Sequence, residues 1–419
     1  MNDIKPEYDV LVIGAGPAGL KTANAISEQG YSVVVIEEHP SIGWPVQCSG
    51  LVTPRVKHIE NINDDKIILS EIFGATIYSA TGKKLELTSK SPKAIVLDRL
   101  YFDRYLGKLA VKSGVELHLN TVFVNAKREN KKIISEIRTT ESNPLNRDWK
   151  KIKIKSKILV GADGPFSRVA TVFGFSAVKE KIPGLEIETT NGKVAHANNK
   201  RNVSIYLGNE YAPGFFGWTI PTDTRVKIGL CTVSEAPHKV KYYFQKLFTH
   251  PGFTCNSQPT TNYLRQATQY ISGTIPIGYR EKTVTDNVLL VGDAAGQVKP
   301  LSGGGIYTSL VCAQYCAETV IEALEKKDYS YQLLKNYENK WHKKFGYEFK
   351  RALRLRKIFK NLRDKDIDRI ITYLNNEKKL LAMVSKIGDI DYPGKTIFTL
   401  LRVFPKAARF IYPLIKSFF

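Results

Sequence analysis

Hydrophobic positions along the chain follow two different periods. Residues 8–13 (YDVLVI) and 32–38 (SVVVIEE) are short apolar runs rich in β-branched residues. Such runs suit strands buried on both faces of a parallel sheet. The segment between them, from about Pro17 to Gln29, predicts a helix. Two later runs, ILVG at 158–161 and NVLLVG at 287–292, each lead through a glycine turn into a further helix. Residues 97–117 place Leu100, Leu106 and Leu109 at helical spacing, with Gly114 as the stop. Residues 176–275 read differently. VSIYLG, GFFGWTIP and RVKIGLCTV are short alternating runs broken by Gly, Pro, Asp and Thr, the pattern of an antiparallel sheet. Beyond 331 the pattern is helical again, as in YEFKRALRLRKIF. The expected fold is therefore α/β. A Rossmann-like domain spans 1–175 and 276–330, an antiparallel sheet is inserted over 176–275, and a helical region follows over 331–419. An excursion near 70–95 is expected to join the inserted sheet. A chain of 419 residues is too long for one compact core.

The first strand runs into Gly14, Gly16 and Gly19, spaced G-x-G-x-x-G. Gly14 suits the tight turn, Gly16 the close approach of a pyrophosphate to the backbone, and Gly19 close packing of helix on strand. The helix then aims its N-terminus at the phosphates. The second strand ends in Glu37, an acid placed to bind ribose hydroxyls. Arg99 precedes the 97–117 helix. Gly161-Ala-Asp163-Gly164 forms a turn after the third run, and Gly292-Asp293 ends the fourth. Gly303, Gly304 and Gly305 then open another helix, offering free N–H groups and a positive dipole end. A reduced flavin with charge near N1 and C2=O suits such an end.

These pieces, in order the dinucleotide glycines, D-R-x-x-F-D, G-A-D-G and G-D-A-A-G…P…G-G-G, resemble the FAD-binding frame of the para-hydroxybenzoate hydroxylase-like flavoproteins. The resemblance implies that Arg99 contacts FAD, that Asp163 lies near the pyrophosphate and that Asp293 holds the ribityl chain. It also places Ala18, Val122 and Ile306 in the cofactor-binding set. PGFFGWTIP together with PVQC resembles the geranylgeranyl reductase family, archaeal digeranylgeranylglycerophospholipid reductases in particular. That branch carries P-x-x-Y-x-W-x-F-P and a glycine eight residues later. Here the stretch holds Pro213, Phe216, Trp218, Ile220 and Pro221, followed by Gly229. Phe216 replaces the tyrosine, and Thr222-Asp223 stand where Lys-Gly is usual. The resemblance implies saturation of polyprenyl double bonds by hydride from reduced FAD. Tyr206, Phe216, Trp218 and Pro221 are expected on the substrate wall. Cys48, in GWPVQCSGLV, is expected at the reacting centre as proton donor or pocket gate, because an unactivated alkene needs a proton as well as a hydride.

Charge adds a second surface. The net charge is +22, and residues 331–419 hold 21 Lys/Arg against 8 Asp/Glu, so about +13 of it lies there. No nucleic-acid motif accompanies that charge. Residues 393–419 contain no acid and interleave cations with Ile, Leu and Phe. A membrane-surface helix over 394–419 on an anionic membrane is expected. No stretch reaches 18 uncharged apolar residues, so no spanning helix is expected. The segment MNDIKPEYDVLVIGAG runs straight into a strand without a basic n-region or cleavage site, so no secretory signal is expected. Five scattered cysteines without C-x-x-C suggest reduced thiols, and neither they nor the Cys312/Cys316 pair predicts a metal site. The expected location is cytoplasmic, peripheral at the inner face of the membrane. Ferredoxin, a deazaflavin and NAD(P)H all remain open as electron donor. The rival readings are a quinone-tail reductase, a flavin monooxygenase or halogenase, and an electron-transfer flavoprotein. GWTIP resembles the W-x-W-x-I-P stretch of flavin halogenases, with Phe216 in the place of the first tryptophan.

Overall fold

The computed structural model describes residues 4–62, 64, 66–140, 149–190, 201–253 and 267–404. Its first sheet is built on Glu7–Ile13, which pairs in parallel with Val33–Ile36 on one side and Lys150–Gly161 on the other. Val288–Leu290 and Glu116–His118 extend the parallel order outward. The hairpin Thr121–Glu129 and Lys132–Thr139 pairs antiparallel onto Lys150–Gly161. The apolar runs are fully buried, as a sheet covered on both faces requires. Pro17–Ser27 and Ile306–Lys326 pack together over one face, with Cys312 and Cys316 buried among them.

The second sheet has seven strands in the order Ala267–Ile277, Glu180–Thr190, Arg225–Cys231, Gly217–Pro221, Asn202–Tyr206, Gly74–Tyr78 and Lys84–Thr88. Two of its strands thus come from the 70–95 excursion. Asn202–Tyr206 pairs with Gly74–Tyr78 in parallel, and the remaining pairs are antiparallel. A small third sheet joins Leu51–Val52, Ala94–Leu97 and Ile68–Ile72.

The C-terminal region is more tightly integrated than its charge suggests. Trp341, Phe345 and Phe349 are buried in the main core. Arg356 is buried too, and its Nη2 donates to Glu180 Oε2 at 2.8 Å. Part of the basic charge therefore meets an internal acid and not an external partner. The last described helix, Pro393–Val403, is anchored at its start. The N–H groups of Gly394 and Lys395 donate to Glu348 at 2.5 and 2.9 Å. Phe398 and Val403 are exposed. The expected surface helix continues over 405–419, outside the described residues. Among the described residues no helix is long and apolar enough to cross a membrane.

Candidate active site

The three glycines of the first turn have three different jobs. Gly14 has φ +102°, and a Cβ there would lie 2.4 Å from the Ala162 carbonyl oxygen. A Cβ on Gly19 would lie 2.1 Å from the Gly14 oxygen, so this position lets the helix pack on the turn. Gly16 has no atom within 4 Å of its notional Cβ. It faces open space at a helix start that no side chain caps. Glu37 closes the turn from the next strand. Its Oε2 accepts from Ala15 N at 2.7 Å and its Oε1 from His39 Nδ1 at 2.6 Å. Burial works to raise its pKa, but these hydrogen bonds outweigh burial and hold the carboxyl below its ordinary range. Val122 is half-buried on the neighbouring strand, beside Thr121, whose N–H donates to the Glu37 carbonyl at 2.8 Å. Asp163 fixes the Gly161–Gly164 turn and caps the helix Arg168–Val172, accepting from Ser167 Oγ at 2.6 Å and Val169 N at 3.0 Å. Its neighbours Ala162 and Gly164, and not its own carboxylate, border the cavity beyond.

That cavity, about 680 Å³, lies between the two large sheets. At one end it is lined by Gly16, Ala18, Cys48, Arg99, Asp293, Gly303, Gly304, Gly305 and Ile306. The residues from four separate parts of the chain thus converge. Arg99 forks onto Asp103, with Nε–Oδ1 at 3.1 Å and Nη2–Oδ2 at 2.8 Å. Burial works against its charge, but Asp103 and the nearby Cys48 raise its pKa overall. Asp293 is half-buried at the cavity, and desolvation pushes its pKa up to about 6 although Arg99 pulls it down. No hydrogen bond to its carboxylate is present among the described residues. The helix Ile306–Lys326 starts at Gly305 with no side-chain cap.

The segment carrying Cys48 threads between this end and the second sheet. Gly43 (φ +74°) and Gly50 (φ +79°) both take left-handed backbone, and a Cβ on Gly50 would strike the Leu97 carbonyl at 2.2 Å. Ser49 is tied to the sheet because its carbonyl accepts from Lys227 Nζ at 3.0 Å. On the other flank, a Cβ on Gly273 would lie 3.1 Å from the Gln47 oxygen. The two glycines around Cys48 therefore allow a close backbone passage that holds the thiol at the cavity.

The second sheet supplies the long wall. Ile271, Glu186, Gly229, Trp218 and Ile205 stand in one cross-strand row. Trp218, Ile205, Val203, Ile220 and Phe216 line the cavity. Tyr206 and Pro221 do not, contrary to expectation. Side chains alternate across a strand, so when Ile205 and Trp218 face the cavity, Tyr206 and Pro221 turn away from it. Tyr206 is fully buried on the far face. It stacks on Tyr78 at 5.6 Å, and its hydroxyl lies 3.1 Å from Thr219 Oγ1.

The FAD binding domain family matches residues 7–345. The digeranylgeranylglycerophospholipid reductase of Methanocaldococcus jannaschii is 31% identical over 376 residues, covering 88% of this chain and 90% of its own. The enzyme of that name from Methanosarcina acetivorans is 31% identical over 414 residues, covering 96% of this chain and 94% of its own. The chain belongs to the digeranylgeranylglycerophospholipid reductase family. In fold this family member is similar to a geranylgeranyl bacteriochlorophyll reductase-like protein from Thermoplasma acidophilum. The TM-score is 0.79 at 25% identity, over 97% of this chain and 99% of that one. A myxobacterial chondrochloren halogenase shares the fold at TM-score 0.64 and 18% identity.

FAD is the cofactor of this family member, and the residues present fit it. Two helix starts without side-chain caps, the space above Gly16 and the Asp293 carboxylate at the cavity give complementary ends for pyrophosphate, ribityl chain and ring edge. Three features of its site have no motif in the sequence. Glu186 lines the cavity with Trp218 beside it. Lys299, also lining it, pairs with the fully buried Asp391 at 2.8 Å. Val384, Thr396 and Ile397 from the last two described helices, and Ile390 from the loop between them, complete the wall. Asp391 also accepts from Thr53 and Arg55, both at 2.7 Å, and Arg55 reaches Asp389 as well.

Proposed function

We propose that this chain is an FAD-dependent reductase that saturates the double bonds of polyprenyl chains on archaeal-type membrane lipids. The observation that carries this reading is the apolar wall of Trp218, Ile205, Val203 and Ile220 leading from the Asp293–Gly305 end of one cavity. A prenyl chain offers no polar handle, and such a wall suits it. The names of the M. jannaschii and M. acetivorans relatives support the same substrate class.

Reduced FAD supplies hydride to the alkene. The chain's own residues bind and orient. Gly14, Gly16, Ala18 and Gly19 shape the pyrophosphate turn. Glu37 and Val122 stand on the adenosine side, and Asp163 braces the G-A-D-G turn. Arg99 and Asp293 hold the ribityl region, while Gly303, Gly304, Gly305 and Ile306 present N–H groups to the ring edge. Phe216 and Trp218 exclude water beside the alkene. Cys48 bounds the reacting end, as proton donor or as gate. The electron donor is ferredoxin, a deazaflavin or NAD(P)H, and the rate of flavin reduction with each distinguishes them. The basic C-terminal segment places the protein at the anionic inner face of the membrane, where the substrate resides.

The test uses chemically reduced holoprotein mixed without oxygen with digeranylgeranylglyceryl phosphate. The expected result is flavin reoxidation and a lipid that has gained one H₂ per double bond reduced. Inertness toward isoprenoids, with oxygen-dependent hydroxylation or halogenation of an aromatic compound, would overturn the reading.

A further inference from the structure

Glu186 is an acid in an apolar wall. It sits on Glu180–Thr190, is 3% exposed, and lines the same cavity as Cys48 and Trp218. Trp218 Nε1 donates to its Oε2 at 2.6 Å. An indole N–H is donor only, so Oε2 accepts, and the bond to this oxygen favours an acidic proton on Oε1. Oε1 is buried and has no hydrogen-bond partner among the described residues. The sheet is built around this pair. A Cβ on Gly229 would lie 2.6 Å from the Trp218 ring and 2.9 Å from Glu186 Cβ. The glycine eight residues after Pro221 therefore makes room for tryptophan and acid together.

Among the described residues no charged group forms a direct ion pair with Glu186. Lys227 is the cation that acts on it, but its Nζ is bonded to the Ser49 carbonyl. Glu188 adds repulsion, and it is itself bridged to Arg225 at 3.3 Å. Cys231, across the strand pair, senses both Glu186 and Cys48. Burial outweighs Lys227 and the Trp218 hydrogen bond and pushes the Glu186 carboxyl up to about 7. A buried carboxyl kept neutral near pH 7 is a proton source.

We propose that Glu186 is the acid that completes alkene reduction in this cavity, an assignment that rests on the reductase reading above. One alkene carbon takes hydride, with its electron pair, from the reduced cofactor. The π bond breaks, and the other carbon takes H⁺ from the Glu186 carboxyl. Two C–H bonds form, the lipid is reduced, and the remaining carboxylate regains a proton from water. Cys48 then serves as the gate at the cavity end.

Glu186→Gln tests this, because the amide oxygen can still accept from Trp218 Nε1 while the acidic proton is gone. Holoprotein with normal flavin occupancy should reoxidise on the lipid slower by on the order of 10²–10⁴-fold. Wild type should lose rate as pH rises through about 7, and Glu186→Gln should lack that limb. In flavin-free protein, infrared difference spectra should show a carboxylic acid band titrating over the same range, absent in the variant. Glu186→Asp should recover part of the rate. An unchanged rate in Glu186→Gln, or a limb abolished by Cys48→Ala instead, overturns the assignment. Should the variant fold poorly, a wild-type profile with no alkaline fall overturns it alone. Wild type that ignores the lipid removes the reductase reading and this assignment with it.

Discussion

Asp293 and Gly305 face each other so closely that a Cβ on Gly305 would lie 3.1 Å from Asp293 Oδ1. The carboxylate and the bare helix start thus form one binding edge. Asp293→Ala should lose most bound flavin through a lost hydrogen bond. Gly16→Val should do so by filling the open space above the first turn. Absorbance of purified protein reads both, and full yellow occupancy in the two variants would sink the nucleotide assignment.

The same carboxyl makes the flavin-free protein sensitive to pH. Asp293 is pushed up to about 6 from 3.8 by burial. Below about pH 4 folded and unfolded chains both hold the proton, and the group costs nothing. Between pH 4 and 6 the folded chain retains a proton that the unfolded chain releases, so stability falls as pH rises. Asp293→Asn should therefore stabilise flavin-free protein at pH 7 by on the order of 2–3 kcal/mol, with little effect at pH 4. Denaturant titration at the two pH values checks it, and equal shifts at both would refute the cause.

Tyr206 and Trp218 should separate stability from turnover. Tyr206→Phe removes a hydroxyl that touches Thr219 on the face away from the cavity. It should cost about 1 kcal/mol and leave lipid reduction unchanged. Trp218→Glu would place a second acid against Glu186 in the wall, and it should abolish turnover while flavin stays bound. Loss of turnover in Tyr206→Phe would return that residue to the substrate site.

Local patterns made the nucleotide half readable. Gly14, Gly16, Gly19 and Glu37 act within one strand–turn–helix–strand unit, so spacing alone defines their roles. The wall was legible only in part. Alternation in VSIYLG and GWTIP predicts strands, but which phase faces inward depends on the partner layer, and that misplaced Tyr206 and Pro221. Glu186 was hidden by the same ambiguity, since an acid that alternates with apolar residues along a strand ordinarily faces solvent. The Asp391 cluster leaves no local trace, because Thr53 and Asp391 are 338 residues apart.

Residues 405–419 carry three Lys/Arg and no acid. Deleting them should weaken binding to anionic liposomes, by roughly 1 kcal/mol per cation at low salt, and leave flavin bound. Co-sedimentation at two salt concentrations measures it. Equal sedimentation of truncated and full-length chain would remove the membrane role.

The Asp391 cluster also sets the order in which the site can come into being during synthesis. Chains emerge N-terminus first and fold in units as they do so. The nucleotide turn needs the chain only as far as Glu37, whereas Ile390, Thr396 and Ile397 leave the ribosome long after it. Until Asp391 reaches Thr53, Arg55 and Lys299, the apolar wall has no cover on that side. A ribosome stalled before residue 391 would thus display a chain able to form its nucleotide turn and unable to shelter a lipid.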